Sequence, residues 1–129
     1  MNQDSPNLVK EPIRVLVVAK HPMVQEGFKL LIESNREIVV AATRSFDDSF
    51  DQVEITPGPD VVVVFLGKHD RVEVITDLLT VWPDLRVVVT AASENLDLQA
   101  TALELGAVGI VHEEQNPNLL IEAIRQTFA

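Results

Sequence analysis

A doubly wound α/β sheet of five parallel strands with five helices is the fold class this sequence predicts, and three observations predict it. Five short runs are nearly all apolar and rich in valine and isoleucine, as strands buried on both faces are. The segments between them repeat apolar residues at helical spacing. Proline, glycine and small polar residues punctuate the junctions, so that strand and helix alternate along the chain.

The elements follow in order. Residues 1–11 are polar, carry Pro6 and read as a disordered lead-in, which leaves 12–129 as the folded domain. Ile13 to Val18 is a β-branched run and the first strand. His21-Pro22 turns into a helix, because proline suits a first turn where its missing N–H costs nothing. Val24, Phe28, Leu31 and Ile32 form that helix's apolar stripe, through Ser34. Ile38 to Thr43 is the second strand, and Asp47 to Val53 a short, weak helix. Thr56-Pro57-Gly58-Pro59 is a turn leading into the third strand, Asp60 to Leu66. Arg71 to Trp82 is a helix whose stripe is Val72, Ile75, Leu78, Leu79 and Trp82, with Trp82 expected in the core. Arg86 to Thr90 is the fourth strand. Glu94 to Leu105 is a helix ended by Gly106, and Val108 to Val111 is the fifth strand. Asn116-Pro117 opens the last helix, which runs to Phe128.

Composition narrows the function. The chain has 129 residues and 47% hydrophobic content, enough for one core. Its net charge is −10, from 20 acids against 10 bases, which opposes a grip on nucleic-acid phosphates. It has no cysteine, so no disulfide or thiolate metal site. The apolar runs fall short of the roughly 20 residues that span a bilayer. The first dozen residues lack the apolar stretch of a secretory signal. A cytoplasmic location is expected.

The carboxyl end of a central strand is where open α/β sheets usually place their chemistry. Here Pro59-Asp60-Val61-Val62-Val63-Val64-Phe65-Leu66 ends in a bulky aromatic, and Phe65 is no acid, base or nucleophile. Gly67-Lys68 lacks the spacing of a phosphate-binding loop, and Asp47, Asp48 and Asp51 read as a solvated face. The sequence predicts a scaffold whose active site has been filled in, not an enzyme.

Several stretches together carry a family resemblance. They are Arg14-Val15-Leu16-Val17-Val18 with His21-Pro22-Met23-Val24-Gln25-Glu26-Gly27-Phe28, Pro59-Asp60-Val61-Val62-Val63, and Trp82-Pro83-Asp84-Leu85-Arg86-Val87-Val88-Val89-Thr90-Ala91. Gly106-Ala107-Val108-Gly109-Ile110 and Leu120-Ile121-Glu122-Ala123-Ile124 complete the set. In order and spacing the chain resembles the receiver domain of bacterial two-component response regulators, in particular LuxR-type regulators with a C-terminal helix-turn-helix. The resemblance implies a flavodoxin-like sheet of order 2-1-3-4-5. It also implies phosphorylation of an aspartate after strand three, with two acids after strand one on Mg²⁺, a lysine after strand five and a Ser/Thr after strand four. Forming an acyl phosphate needs a carboxylate nucleophile and balancing positive charge.

Against that pattern the acceptor place holds Phe65, the acid pair is replaced by Ala19 and Lys20, and the lysine place holds Glu113. Only Thr90 is kept. The expected function is therefore that of a pseudo-receiver, a non-phosphorylatable domain acting in transcriptional regulation through protein–protein contacts. The alternative is a small-molecule sensor that reuses an apolar cleft beside Phe65, Thr90 and Ala19. Lys20 and Glu113 exchange the family's signs, and either pair to close the old pocket or point to solvent. His21, His69 and His112 follow strands one, three and five, yet no metal site is expected. His21 lies in a family motif that binds no metal through it, and His112 precedes an inward-facing Glu113. No cofactor and no membrane partner are expected. The candidate interaction surface is Leu105, read as exposed, with Ile110 and Leu119, and it predicts a weak homodimer using the last helix. DNA would be reached only through a C-terminal domain absent from this chain, which reads as a fragment of a longer regulator.

Overall fold

The computed structural model describes residues 11–51 and 54–128. Five strands, β1 (Ile13–Val18), β2 (Ile38–Arg44), β3 (Val61–Phe65), β4 (Arg86–Ala91) and β5 (Gly109–His112), form one parallel sheet of order β2-β1-β3-β4-β5. The helices described are α1 (Pro22–Glu33), α2 (Val74–Val81), α3 (Leu96–Leu105) and α4 (Asn118–Phe128). Apart from Glu11, which is exposed, the lead-in expected over 1–11 lies outside the described residues.

The valine-rich strands are apolar on both faces because both faces are covered. Val15, Val17, Val61, Val63, Val88 and Val111 turn to one side, onto Ile32 of α1 and Leu120, Ile121 and Ile124 of α4. Leu16, Val18, Val62, Val64, Val87 and Val89 turn to the other, onto Val74, Ile75 and Leu78 of α2 and Ala102 of α3. Trp82 is buried in this second core, as expected. One irregularity, between Val15 and Leu16, interrupts the pairing of β1 with β2.

The helix ends follow local chemistry. Pro22 occupies the first turn of α1, and the Gln25 N–H donates to the His21 carbonyl at 3.0 Å. Asn116 Oδ1 accepts from the Asn118 N–H at 2.9 Å, ahead of α4. Gly106 ends α3 at φ 121°, a conformation that favours glycine.

The helix expected over Asp47 to Val53 does not form at 47–51, and Gln52 and Val53 lie outside the described residues. Side chains capture the backbone there instead. The Ser45 N–H donates to Asp48 Oδ2 at 2.7 Å, and the Asp47 N–H to Ser45 Oγ at 3.2 Å. Such local bonds compete with a helical ladder. Phe46, buried, and Phe50, packed on the core, anchor the segment without a helix.

Candidate functional site

Parallel strands bring their carboxyl ends to one rim, and the predicted site residues follow from that placement. Phe65 ends β3 and sits opposite Thr90 in the β3–β4 register. Its ring is half-buried and leans on Phe28 of α1, with centroids 5.6 Å apart and planes tilted by 52°. The Leu66 N–H donates to the Thr90 carbonyl at 2.9 Å, so the two strands stay joined to the rim. Thr90 is 4% exposed, and its hydroxyl has no hydrogen-bond partner among the described residues. Ala19 is fully buried, with its N–H on the Arg44 carbonyl and its own carbonyl accepting from Gln25 Nε2 at 2.9 Å.

Lys20 and Glu113 are both exposed, and the ion pairs of the described residues lie elsewhere: Arg44–Glu54, Arg71–Asp77, Arg125–Glu37 and Arg125–Glu122. Of the two alternatives for Lys20 and Glu113, solvation is the one found. Leaving both charges in water forgoes little, since an exposed pair contributes only ~0–1 kcal/mol.

The rim is not sealed. An open cleft of about 650 Å³ is lined by Phe65, Leu66, Gly67, Lys68, Ala92, Glu94, Asn95 and Glu113. The cleft expected beside Phe65, Thr90 and Ala19 is thus displaced toward the loop after β4. Thr90 and Ala19 do not line it, because both are packed beneath the rim. Beyond Phe65 the loop folds on itself: the Gly67 N–H donates to Asp70 Oδ2 at 2.7 Å. Asp70 is therefore held by its own turn.

Four residues that were not singled out as a set join the loops after β4 and β5. Gln99 of α3 is buried, and its Nε2 donates to the Ala92 carbonyl at 2.8 Å and the Ser93 carbonyl at 3.3 Å. Gln99 Oε1 lies 3.3 Å from His112 Nε2, which turns His112 away from the cleft. The Ser93 N–H donates to both carboxylate oxygens of Glu114, at 3.1 and 3.2 Å. Glu114's own backbone N–H and that of Ser93 hold its carboxyl below the ordinary range. The available signal was Gln99, a polar residue three positions before Ala102 on the inward side of α3. Among the described residues, no three His, Asp or Glu side chains gather as a metal donor set.

Of the three surface candidates, Leu119 is 42% exposed, off the buried stripe of Leu120, Ile121 and Ile124. Ile110 is half-buried against the α2–α3 core. Leu105 is not exposed as expected. It packs partly buried on that core, because α3 turns Leu98, Ala102 and Leu105 inward and leaves Leu96 and Leu103 outside.

Comparison with known proteins shows what the chain is similar to. The family model of the response regulator receiver domain matches residues 15–125. The transcriptional regulatory protein DegU of Brevibacillus brevis is 27% identical over 117 residues, which cover 88% of this chain and 49% of DegU. The nitrate/nitrite response regulator protein NarL of Escherichia coli K12 is 27% identical over 122 residues, covering 93% of this chain and 56% of NarL. The chain thus spans about half the length of these relatives. Among solved structures, the isolated REC domain of RcsB from Salmonella enterica serovar Typhimurium, in the presence of the phosphomimetic BeF3−, superposes with a TM-score of 0.71. That match covers 89% of this chain and 87% of the other at 21% identity, so the fold is what it shares.

Proposed function

Because the chain belongs to the response regulator receiver family, we propose that it is a receiver with a degenerate phosphorylation site, which regulates through protein contacts. The observation that carries this reading is Phe65 at the end of β3, with its ring set against Phe28 where a nucleophilic carboxylate would stand. Ala19, buried, and Lys20, exposed, occupy the end of β1 and offer Mg²⁺ no oxygen side chain. Glu113 after β5 would repel a phosphoryl group. The domain then works by shape, not catalysis, in a regulator of transcription in the cytoplasm. DNA would be met by a segment outside this chain, and a weak homodimer would use α4 through Leu119.

The test is incubation with acetyl phosphate and Mg²⁺, followed by intact-mass spectrometry. The parent stays unmodified. Phe65→Asp also stays unmodified, since one restored carboxylate still lacks its metal ligands. A hydroxylamine-labile phosphate on the parent would overturn the reading, with Asp70 the first carboxylate to check.

The open cleft favours a second reading, a small-molecule sensor on the same rim. Phe65, Leu66 and Ala92 offer an apolar floor beside Lys68, Glu94 and Glu113. A saturable, ligand-dependent rise in melting temperature that Ala92→Phe abolishes would favour it.

A further inference from the structure

The cleft of about 650 Å³ at the strand ends falls in the size range of small-ligand sites. Phe65, Leu66 and Ala92 give its lining an apolar part, and Lys68, Glu94 and Glu113 give it charge. Phe65 is half-buried and is the aromatic residue of the lining.

The walls are held by bonds made outside the cleft. Gln99 Nε2 donates to the Ala92 and Ser93 carbonyls, and the Ser93 N–H donates to both carboxylate oxygens of Glu114. Ser93 lies between Ala92 and Glu94 in the chain, and Glu113 precedes Glu114. These bonds therefore tie together the two loops that carry Glu94 and Glu113. On the facing wall, the Gly67 N–H on Asp70 Oδ2 closes the turn beside Lys68. A site fixed before its ligand arrives loses less free energy to ordering.

The charges select a sign. Lys68, Glu94 and Glu113 are exposed, and none of them joins an ion pair among the described residues. Two carboxylates stand against one ammonium, a surplus of negative charge. The chain has no lysine or arginine between Arg86 and Arg125 to offset it from the loops after β4 and β5. Such a cleft draws in cations and repels anions.

We propose that this cleft binds a small organic cation, an amine or guanidinium carried on an apolar body. The cation sits between Glu94 and Glu113 and against Phe65, since an aromatic face attracts positive charge. The apolar body covers Leu66 and Ala92. Such binding presupposes the sensor reading of the rim and gives that sensor its ligand class.

The test titrates the protein at neutral pH with three probes of matched shape: phenethylamine, a cation, 2-phenylethanol, neutral, and phenylacetate, an anion. Phenethylamine should give saturable amide shifts that cluster at Phe65, Lys68, Asn95 and Glu113. Glu94→Gln and Glu113→Gln each remove one carboxylate at nearly constant shape and should each weaken it by about fivefold. Both positions are exposed, and melting temperatures without probe verify each fold. Equal binding of all three probes at the cleft, or a preference for phenylacetate, would overturn the cation class and leave the sensor reading standing. Shifts spread over the acidic surface and indifferent to both variants would mean attraction to the net charge of −10 alone, and would also overturn the proposal. So would the absence of a saturable shift with any probe, and the sensor reading would then rest on its own melting test with Ala92→Phe.

Discussion

Thr90 shows how much one atom contributes to stability at this rim. Thr90 lies on β4 between β3 and β5, its buried hydroxyl has no partner among the described residues, and an unmet buried hydroxyl costs about 1–3 kcal/mol. Thr90→Val should therefore raise stability by about 1 kcal/mol, read as a higher urea midpoint at unchanged slope. A lower midpoint would mean the hydroxyl is satisfied in solution. Glu114 gives a pH-dependent counterpart. Its folded-state carboxyl is held low by its own N–H and that of Ser93. The stability it contributes is present above the unfolded carboxylate value and is lost as pH falls through the depressed folded value. Melting temperatures of the parent and Glu114→Gln should differ at neutral pH and converge as the solution is acidified. A constant gap across that range would remove the carboxylate from the account.

At the scale of elements, the end of α3 depends on one glycine. Gly106 has φ 121°, and a Cβ there would stand 2.8 Å from Cδ1 of Leu79 in α2. Gly106→Ala meets both a backbone penalty of roughly 1–2 kcal/mol and that contact. The expected result is a clear loss of thermal stability, larger than for Gly27→Ala. Gly27 has open space around its missing Cβ, on the exposed face of α1. Equal losses at the two glycines would contradict this. The glycine was legible in the sequence as a helix stop. The contact with Leu79 was not, because it depends on how α2 and α3 lie on the sheet.

For the whole molecule, the question is what α4 does with Leu119. A net charge of −10 keeps copies apart, and one leucine 42% exposed adds little area against that repulsion. Self-association through α4 should therefore be weak and strengthened by salt. Sedimentation velocity at micromolar concentration should show a partial dimer that Leu119→Glu converts to monomer. Monomer throughout, indifferent to salt and to Leu119→Glu, would leave the proposed homodimer without a surface. No described helix is long and apolar enough to cross a membrane.

The sequence by itself determined the strands, most helices and the residues at the rim. Strand burial is written in runs such as Val61 to Val64, and helix stripes in spacings such as Leu120, Ala123 and Ile124, because both periods come from local chain geometry. It also determined that Phe65, not a carboxylate, ends β3. Only the tertiary structure decided what those residues meet. Phe65 found Phe28, Lys20 and Glu113 found solvent, and the cleft opened toward Ala92 and Glu94. Leu105 went inward and Leu103 outward because α3 is rotated by its packing on the sheet and by the Gln99 bonds. The expected helix at Asp47 gave way to the side-chain bonds of Ser45 and Asp48. Contacts between loops and the rotation of a helix are set by partners far along the chain, and each is worth about 1 kcal/mol or less, too little for local pattern to reveal.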